Sequence, residues 1–264
     1  MRNMMRAVSA MLVVFLSLVS MAACGESSSG ASGGSKSGSS AVTFTQAIEN
    51  HKLWFLVEPS VQEDDSVINP TLNKDDEIDS FLVRIGGTKG QYKWTVYLNG
   101  STNKSTHLTF QDINGKTDDE IISLLDRNVW ELGDGESSKT TVTTSTYVTT
   151  DPTGSNAESE FIASGLSKDS DGYYCYTPQG MGIIKDNYCY PKGGDNIADE
   201  ARGGMPLTHT SQIYDMYFQG LESSANTTYG EEEYDTKFLI TRVDADDPGI
   251  VMDSPKDGAV TVVG

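Results

Sequence analysis

Apolar positions in this chain fall into short blocks, each closed by a turn signal. The first block differs from the rest. Residues 10–19 are almost unbroken Ala, Met, Leu, Val and Phe, and they follow a start that carries Arg2 and Arg6. Residues 25–40 then contain no apolar side chain except Ala31. From residue 41 onward the blocks are five to eight residues long, the length of strands and short helices. Thr43 and Gln46 have capping-box spacing, so a short helix to about His51 is expected. Residues 53–57 (LWFLV) predict a buried strand that Pro59 ends, and residues 73–79 are polar and turn-like. Residues 80–85 predict a strand stopped by Gly86-Gly87, and residues 91–98 alternate up to Asn99-Gly100. Residues 106–113 resemble that block and predict another strand, ending at Asn114-Gly115.

One longer helix is well marked. Thr117 and Glu120 form a second capping box with acids in the first turn. Ile121, Ile122, Leu124, Leu125, Val129 and Trp130 recur at helical spacing, and the turn at 133–135 closes the pattern. Trp130 is expected in the core. Residues 139–150 form a Thr/Val strand, and residues 151–172 are expected to be loop with a short helix near 158–163. Further strands are expected at 212–218, 237–243 and 259–263. Strands outnumber helices without alternating regularly, which predicts an α+β fold: a mostly antiparallel sheet with one or two packed helices. The expected organisation is a signal over 1–23, a tether over 24–40 and one folded domain over 41–264, with a subdivision near 151 left open. No internal repeat is visible.

Charge narrows the partners. The chain has 19 basic and 38 acidic residues. Without Arg2 and Arg6 the balance is 17 against 38, or −21. Such a surface repels phosphate, so no nucleic acid partner is expected.

The positive start, the apolar run and the small residues Ser20-Met21-Ala22-Ala23 before Cys24 have the order of a secretory signal. Met21-Ala22-Ala23-Cys24 resembles a bacterial lipobox, with Met21 where Leu is usual. That resemblance implies lipidation of Cys24, cleavage just before it, and a chain anchored to the outer face of the cytoplasmic membrane. Two acyl chains would make such an anchor durable, since each buried methylene contributes about 0.8 kcal/mol. The Ser/Gly tract would span roughly 20–25 Å as a flexible coil. His51-Lys52-Leu53-Trp54-Phe55, residues 92–98 and Asp118-Asp119-Glu120-Ile121-Ile122 resemble small lipoproteins of lactic-acid bacteria and their relatives, a group that implies no assigned activity.

With Cys24 lipidated, Cys175 and Cys189 remain as an even pair. Outside the membrane they can oxidise, and a structural disulfide is the expectation; a metal site and a redox pair are less consistent with the missing His and CxxC spacing. Tyr173, Tyr174, Tyr176, Tyr188 and Tyr190 flank them and could grip a glycan or a protein, or pack against the sheet.

Catalytic signatures are sparse. The histidines are His51, His107 and His209, with no Gly-x-Ser-x-Gly elbow, no His-Glu-x-x-His and no phosphate-cradling loop. Residues 101–104 fit Ser-x-x-Lys but lack its partner motifs. The acidic runs at 75–79, 169–172 and 244–249 lack the ligand spacing of a calcium loop. No catalytic residue, metal or cofactor is assigned. Asn-x-Ser/Thr triplets at Asn99, Asn103 and Asn226 are incidental beside a lipobox. The leading expectation is an envelope lipoprotein binding a protein or glycan. The alternative is a cell-wall or carbohydrate-active hydrolase using paired carboxylates, which sequence spacing cannot reveal. An importer's capture protein fits less well, because regular strand–helix alternation is missing.

Overall fold

A computed structural model describes residues 41–58, 71–100, 107–131, 137–168, 174–178, 188–190, 204–227 and 233–263. The expected signal over 1–23, Cys24, the expected tether, residues 101–104, 133–135 and 169–172 and Tyr173 lie outside them.

The first helix begins where its cap dictates. Thr43 ends β1 (Val42–Thr43) and accepts from the Gln46 backbone, while the Gln46 side chain accepts from Thr43 N–H at 3.0 Å. Helix α1 (Phe44–Asn50) follows, and β2 (Leu53–Glu58) is buried at every position except Glu58. Antiparallel strands β3 (Glu77–Thr88) and β4 (Gln91–Leu98) come next. Two sequence expectations change in this region. Strand β3 starts earlier, at Glu77, and does not stop at Gly86-Gly87. A bulge at Ile85 absorbs the break and carries the strand on to Thr88.

Residues 106–113 do not form a strand. Thr109 and Asp112 cap each other reciprocally, so the short helix α2 (Phe110–Ile113) forms, with Phe110 and Ile113 buried on one face. Helix α3 (Asp118–Arg127) starts from the expected box at Thr117 but ends before Val129, which is exposed. Trp130 lies beyond the helix. It is half-buried against Gly100, where an added Cβ would stand 2.5 Å from its ring.

Strand β5 (Lys139–Thr150) matches its expected span. The loop and helix expected after it are instead a hairpin. Asp151 organises a tight connection, accepting from Thr153, Ser155 N–H and the Asn156 side chain, and β6 (Ala157–Lys168) returns along β5. Strands β7 (Tyr174–Pro178) and β8 (Tyr188–Tyr190) extend from the far half of β6. Strand β9 (Met205–Pro206) precedes β10 (Ser211–Ile213) and β11 (Met216–Thr227); these last two are joined by a turn at Tyr214-Asp215, inside the single strand expected there. Strand β12 (Glu233–Val243), β13 (Ile250–Val251) and β14 (Thr261–Val263) complete the chain.

The sheet order is β10-β11-β12-β2-β3-β4-β5-β6-β7-β8, with every neighbouring pair antiparallel. It also curls back on itself. Gly204 and Glu160 exchange both backbone hydrogen bonds, at 3.0 and 2.8 Å, and β9 pairs with β11. The link from β6 through β9 to β11 makes a nearly closed barrel. Gly204 is required there, since a Cβ would stand 2.5 Å from the Leu221 Cβ.

Each strand of this wall is buried on two faces. Leu53, Phe55 and Val57 point outward with Phe81, Phe218, Phe238 and Ile240, under a cover made by Phe110, Ile113, Ile121 and Leu125 of α2 and α3. Arg242 holds that cover to β12 through Asp118 and the Lys116 carbonyl. Trp54 and Leu56 point inward with Leu82, Tyr92, Trp94, Val96, Ile162 and Leu221, and Phe44, Ala47 and Ile48 of α1 fill the space among them.

Candidate functional site

The inner layer carries two buried acids at the end of the barrel where β1 meets β13. There β1 pairs in parallel with β13, so Val42 lies beside Ile250. Residues 249–260 form a strap across this end. The strap passes the β3–β4 turn so closely that a Cβ on Gly90, whose φ is +81°, would stand 1.8 Å from the Ala259 carbonyl oxygen. Lys89 in that turn pairs with Asp257 of the strap at 2.9 Å.

Two carboxyl groups lie under the strap. Glu160 projects inward from β6 and is fully buried; Asp253 of the strap is 1% exposed. The Asp253 N–H donates to Glu160 Oε2 at 2.9 Å. Asp253 accepts in turn from Thr45, whose backbone N–H donates to Oδ2 at 2.8 Å and whose hydroxyl donates to Oδ1 at 2.6 Å. Thr45 is in the first turn of α1, where backbone N–H groups have no partner within the helix. The Tyr92 hydroxyl donates to the Thr45 carbonyl at 3.2 Å. A single network thus joins barrel wall, strap and helix.

The two acids have opposed environments. Asp253 takes two donors, both from Thr45. Glu160 has one donor, and its Oε1 has no partner among the described residues; neither does the Thr146 hydroxyl, inward-facing on neighbouring β5. Burial, followed by repulsion from Asp253, pushes the Glu160 carboxyl up to about 9, so it is neutral at physiological pH. Burial likewise pushes the Tyr92 phenol up to about 12. A carboxyl held neutral beside a second acid is an arrangement that general acid–base chemistry uses. Here both groups are closed off from solvent by α1 and the strap, so a bulky substrate cannot reach them in this conformation.

The other sequence candidates scatter. The register sets Cys175 opposite Cys189, Tyr174 opposite Tyr190 and Tyr176 opposite Tyr188. His51 caps the end of α1, and burial lowers its pKa; His209 Nδ1 lies 3.0 Å from the Thr208 hydroxyl. The acidic turns are self-capped: Asp76 accepts from Asn73 N–H at 2.7 Å, and Asp247 accepts from Asp244 N–H at 2.8 Å. Among the described residues no group of three His, Cys, Asp or Glu could hold a metal ion. Asn99 is buried, and its amide joins the Ile78 and Leu108 backbones at 2.6–2.8 Å. A small depression lined by Tyr97, Asn99, Leu125, Val129 and Trp130 has room for roughly one water molecule.

Sequence reading missed Glu160 because Glu158 and Glu160 suggest a solvated helix face. The available signal was the alternation of Glu160 with Ile162 across Phe161. Asp253 gave no signal, since its partner lies 93 residues away. Compared with known protein families, curated proteins and solved structures, this chain matches none of them.

Proposed function

We propose that the chain is a lipid-anchored extracytoplasmic module that binds another envelope component, a protein or a glycan, through its outer surface. The observation that carries the binding half is the filled barrel. Barrels of this size either pack their interior with side chains or hold one small ligand. Here Phe44 and Ile48 of α1 stand against Trp54 and Trp94, and all four are at most 1% exposed. That leaves the outside of the barrel as the working surface. The anchoring half rests on the order of signal, Met21-Ala22-Ala23-Cys24 and the Ser/Gly tract.

The β7–β8 hairpin is the face we favour, because its register sets Tyr174 opposite Tyr190 and Tyr176 opposite Tyr188. Directly opposed residues in antiparallel strands have Cα atoms about 4.5–5.5 Å apart, within the roughly 4.4–6.8 Å that a disulfide spans. A Cys175–Cys189 bridge would hold the platform rigid and contribute about 3 kcal/mol in the chain-entropy view. Among the described residues the hydrolase reading can call on the buried pair Glu160 and Asp253, and it would need the strap to leave before any glycan arrived.

Each half has its own test. Cys24→Ser is expected to shift the protein from the membrane fraction to the medium and to remove the lipid mass; unchanged attachment and mass would end the anchor reading. Binding of the full chain to purified cell-wall sacculi and to solubilised envelope proteins is expected to drop at least tenfold when Tyr174 and Tyr190 become Ser. Binding that survives this pair of changes would remove the hairpin as the contact face.

A further inference from the structure

The strap is held at few points. Between residues 249 and 260 these are the two-residue pairing of β13 with β1, Ile250 in the inner apolar layer, Lys89 with Asp257, and Asp253. Asp253 is the acid among them that reaches inside the barrel. It is held by donors from α1 on one side, and its own N–H is held by Glu160 on the other.

The geometry points to a proton-dependent latch: Glu160, while it keeps its proton, lets the Asp253 carboxylate sit beside it and so holds the strap and α1 in the barrel end; loss of that proton releases them. This reading does not depend on the anchor or on the binding face.

The electrostatics follow from the groups that face Glu160. From the strap these are Asp253 and Asp257, both acidic. Asp257 is partnered by Lys89, whereas the donors to Asp253 are neutral, among them Thr45 N–H and the Thr45 hydroxyl. From β5 the neighbours are Val148, paired opposite, and Thr146; from β9's side it is the Gly204 backbone. None of these is a cation. A second buried negative charge would therefore meet Asp253 without compensation. The part that can yield is the strap, because it is attached by few backbone pairs, whereas Glu160 is fixed in a strand hydrogen-bonded along both edges. Burial already holds the Glu160 proton to about 9, so the latch stays closed at neutral pH and opens in alkali. Opening would uncover the apolar layer of Phe44, Trp54 and Trp94.

The experiment is amide exchange on the full chain, with wild type and Glu160→Gln compared at the same pH, so that the intrinsic exchange rate cancels. At pH 4.5, where Glu160 keeps its proton in the closed strap, the strap and α1 amides are expected to be protected alike in both. At pH 10, about one unit past the Glu160 midpoint, protection of Thr45, Ile250 and Asp253 in wild type is expected to fall at least tenfold below that in the variant. The amides of β3 and β4 keep their protection in both proteins. Because the variant retains Lys89 and Tyr92, any effect of their titration appears equally in both. Equal strap protection at pH 10 would overturn the latch. So would a wild type in which β3 and β4 open together with the strap, since that is global unfolding. Should the variant not fold, the carbon-13 shift of the Glu160 carboxyl in wild type gives the midpoint directly. It must coincide with the midpoint of strap opening, and a separation of more than about one pH unit sinks the proposal.

Discussion

The wall of β2, β3 and β12 is covered on both sides, and the two covers follow different rules. The outer one is apolar where its aromatic rings meet. Phe218 stands edge-on to Phe55 and to Phe110, at centroid distances of 5.7 and 5.4 Å, so that a strand of the adjoining hairpin, the central strand and α2 meet at one ring. The inner cover begins the same way, with Phe44 edge-on to Trp54 at 5.5 Å, but at the strap end it buries two carboxyl groups. Apolar packing is non-directional and tolerant of small rearrangement. A buried carboxyl pair is satisfied only in one arrangement and one protonation state. The outer layer is therefore the stable base of the domain, and the inner end is the place where solution conditions can act.

The largest effect is expected from the outer layer. Phe218→Ala removes the ring shared by three elements and leaves a cavity the flanking aromatics cannot fill. A loss of about 3–5 kcal/mol is expected, read as a fall in the urea midpoint with an unchanged slope. The loss should be the same at pH 5 and pH 8, because none of the three aromatic rings that meet there titrates. A pH-dependent loss would mean that the two layers are coupled, and the contrast between them would be wrong.

The next effect has the opposite sign. Glu160 is neutral in the folded protein and ordinary, near 4.5, in the unfolded chain. Between those limits the folded state holds a proton that the unfolded state releases, so the stability this residue contributes is complete below about pH 4.5 and is lost as pH rises towards 9. At about 1.4 kcal/mol per unit, the penalty at pH 7 is up to about 3 kcal/mol. Glu160→Gln keeps an acceptor for Asp253 N–H and has no proton to lose. Its advantage over wild type is expected to be near zero at pH 4.5 and to grow to as much as about 3 kcal/mol at pH 7. A constant difference across that range would show that the carboxyl is not held neutral.

The same division explains which parts could be read from the chain. The three helix starts were governed by local chemistry: Thr43 with Gln46, Thr109 with Asp112, and Thr117 with Glu120. Two of those boxes were legible. The third was passed over because Asp stands where Glu or Gln is usual, and so 106–113 looked like a strand. The α+β class with a dominant antiparallel sheet was also legible, from alternation in residues 91–98 and 139–150. Closure of the sheet was not. It depends on Gly204 meeting Glu160 across 44 residues of chain, and on a β9 only two residues long. The carboxyl pair was hidden for a related reason. Sequence reading assigns Glu to solvent, and only the closed barrel shows what surrounds it.

The smallest effects offer the finest comparison, because the same capping chemistry occurs in both layers. Thr117 caps α3 on the outside and Thr43 caps α1 within, each accepting from the backbone three residues on. Losing a Thr cap typically costs about 1 kcal/mol. For Thr117→Ala that cost should be the whole effect. Its box is exposed, and α3 is also held by Ile121 and Leu125 in the core and by Arg242 at Asp118. For Thr43→Ala the cost should be somewhat larger. The Thr43 hydroxyl lies 3.3 Å from the Thr45 hydroxyl, the group that donates to Asp253, so removing it loosens the donor side of the carboxyl network as well as the helix end. Paired urea titrations would show the difference, with Thr43→Ala also increasing amide exchange at Asp253 and Thr117→Ala leaving it unchanged. If both variants lose the same stability and neither affects the strap, α1 is packed in place by Phe44 and Ile48 alone, and the hydrogen bonds between helix and strap add nothing to its hold.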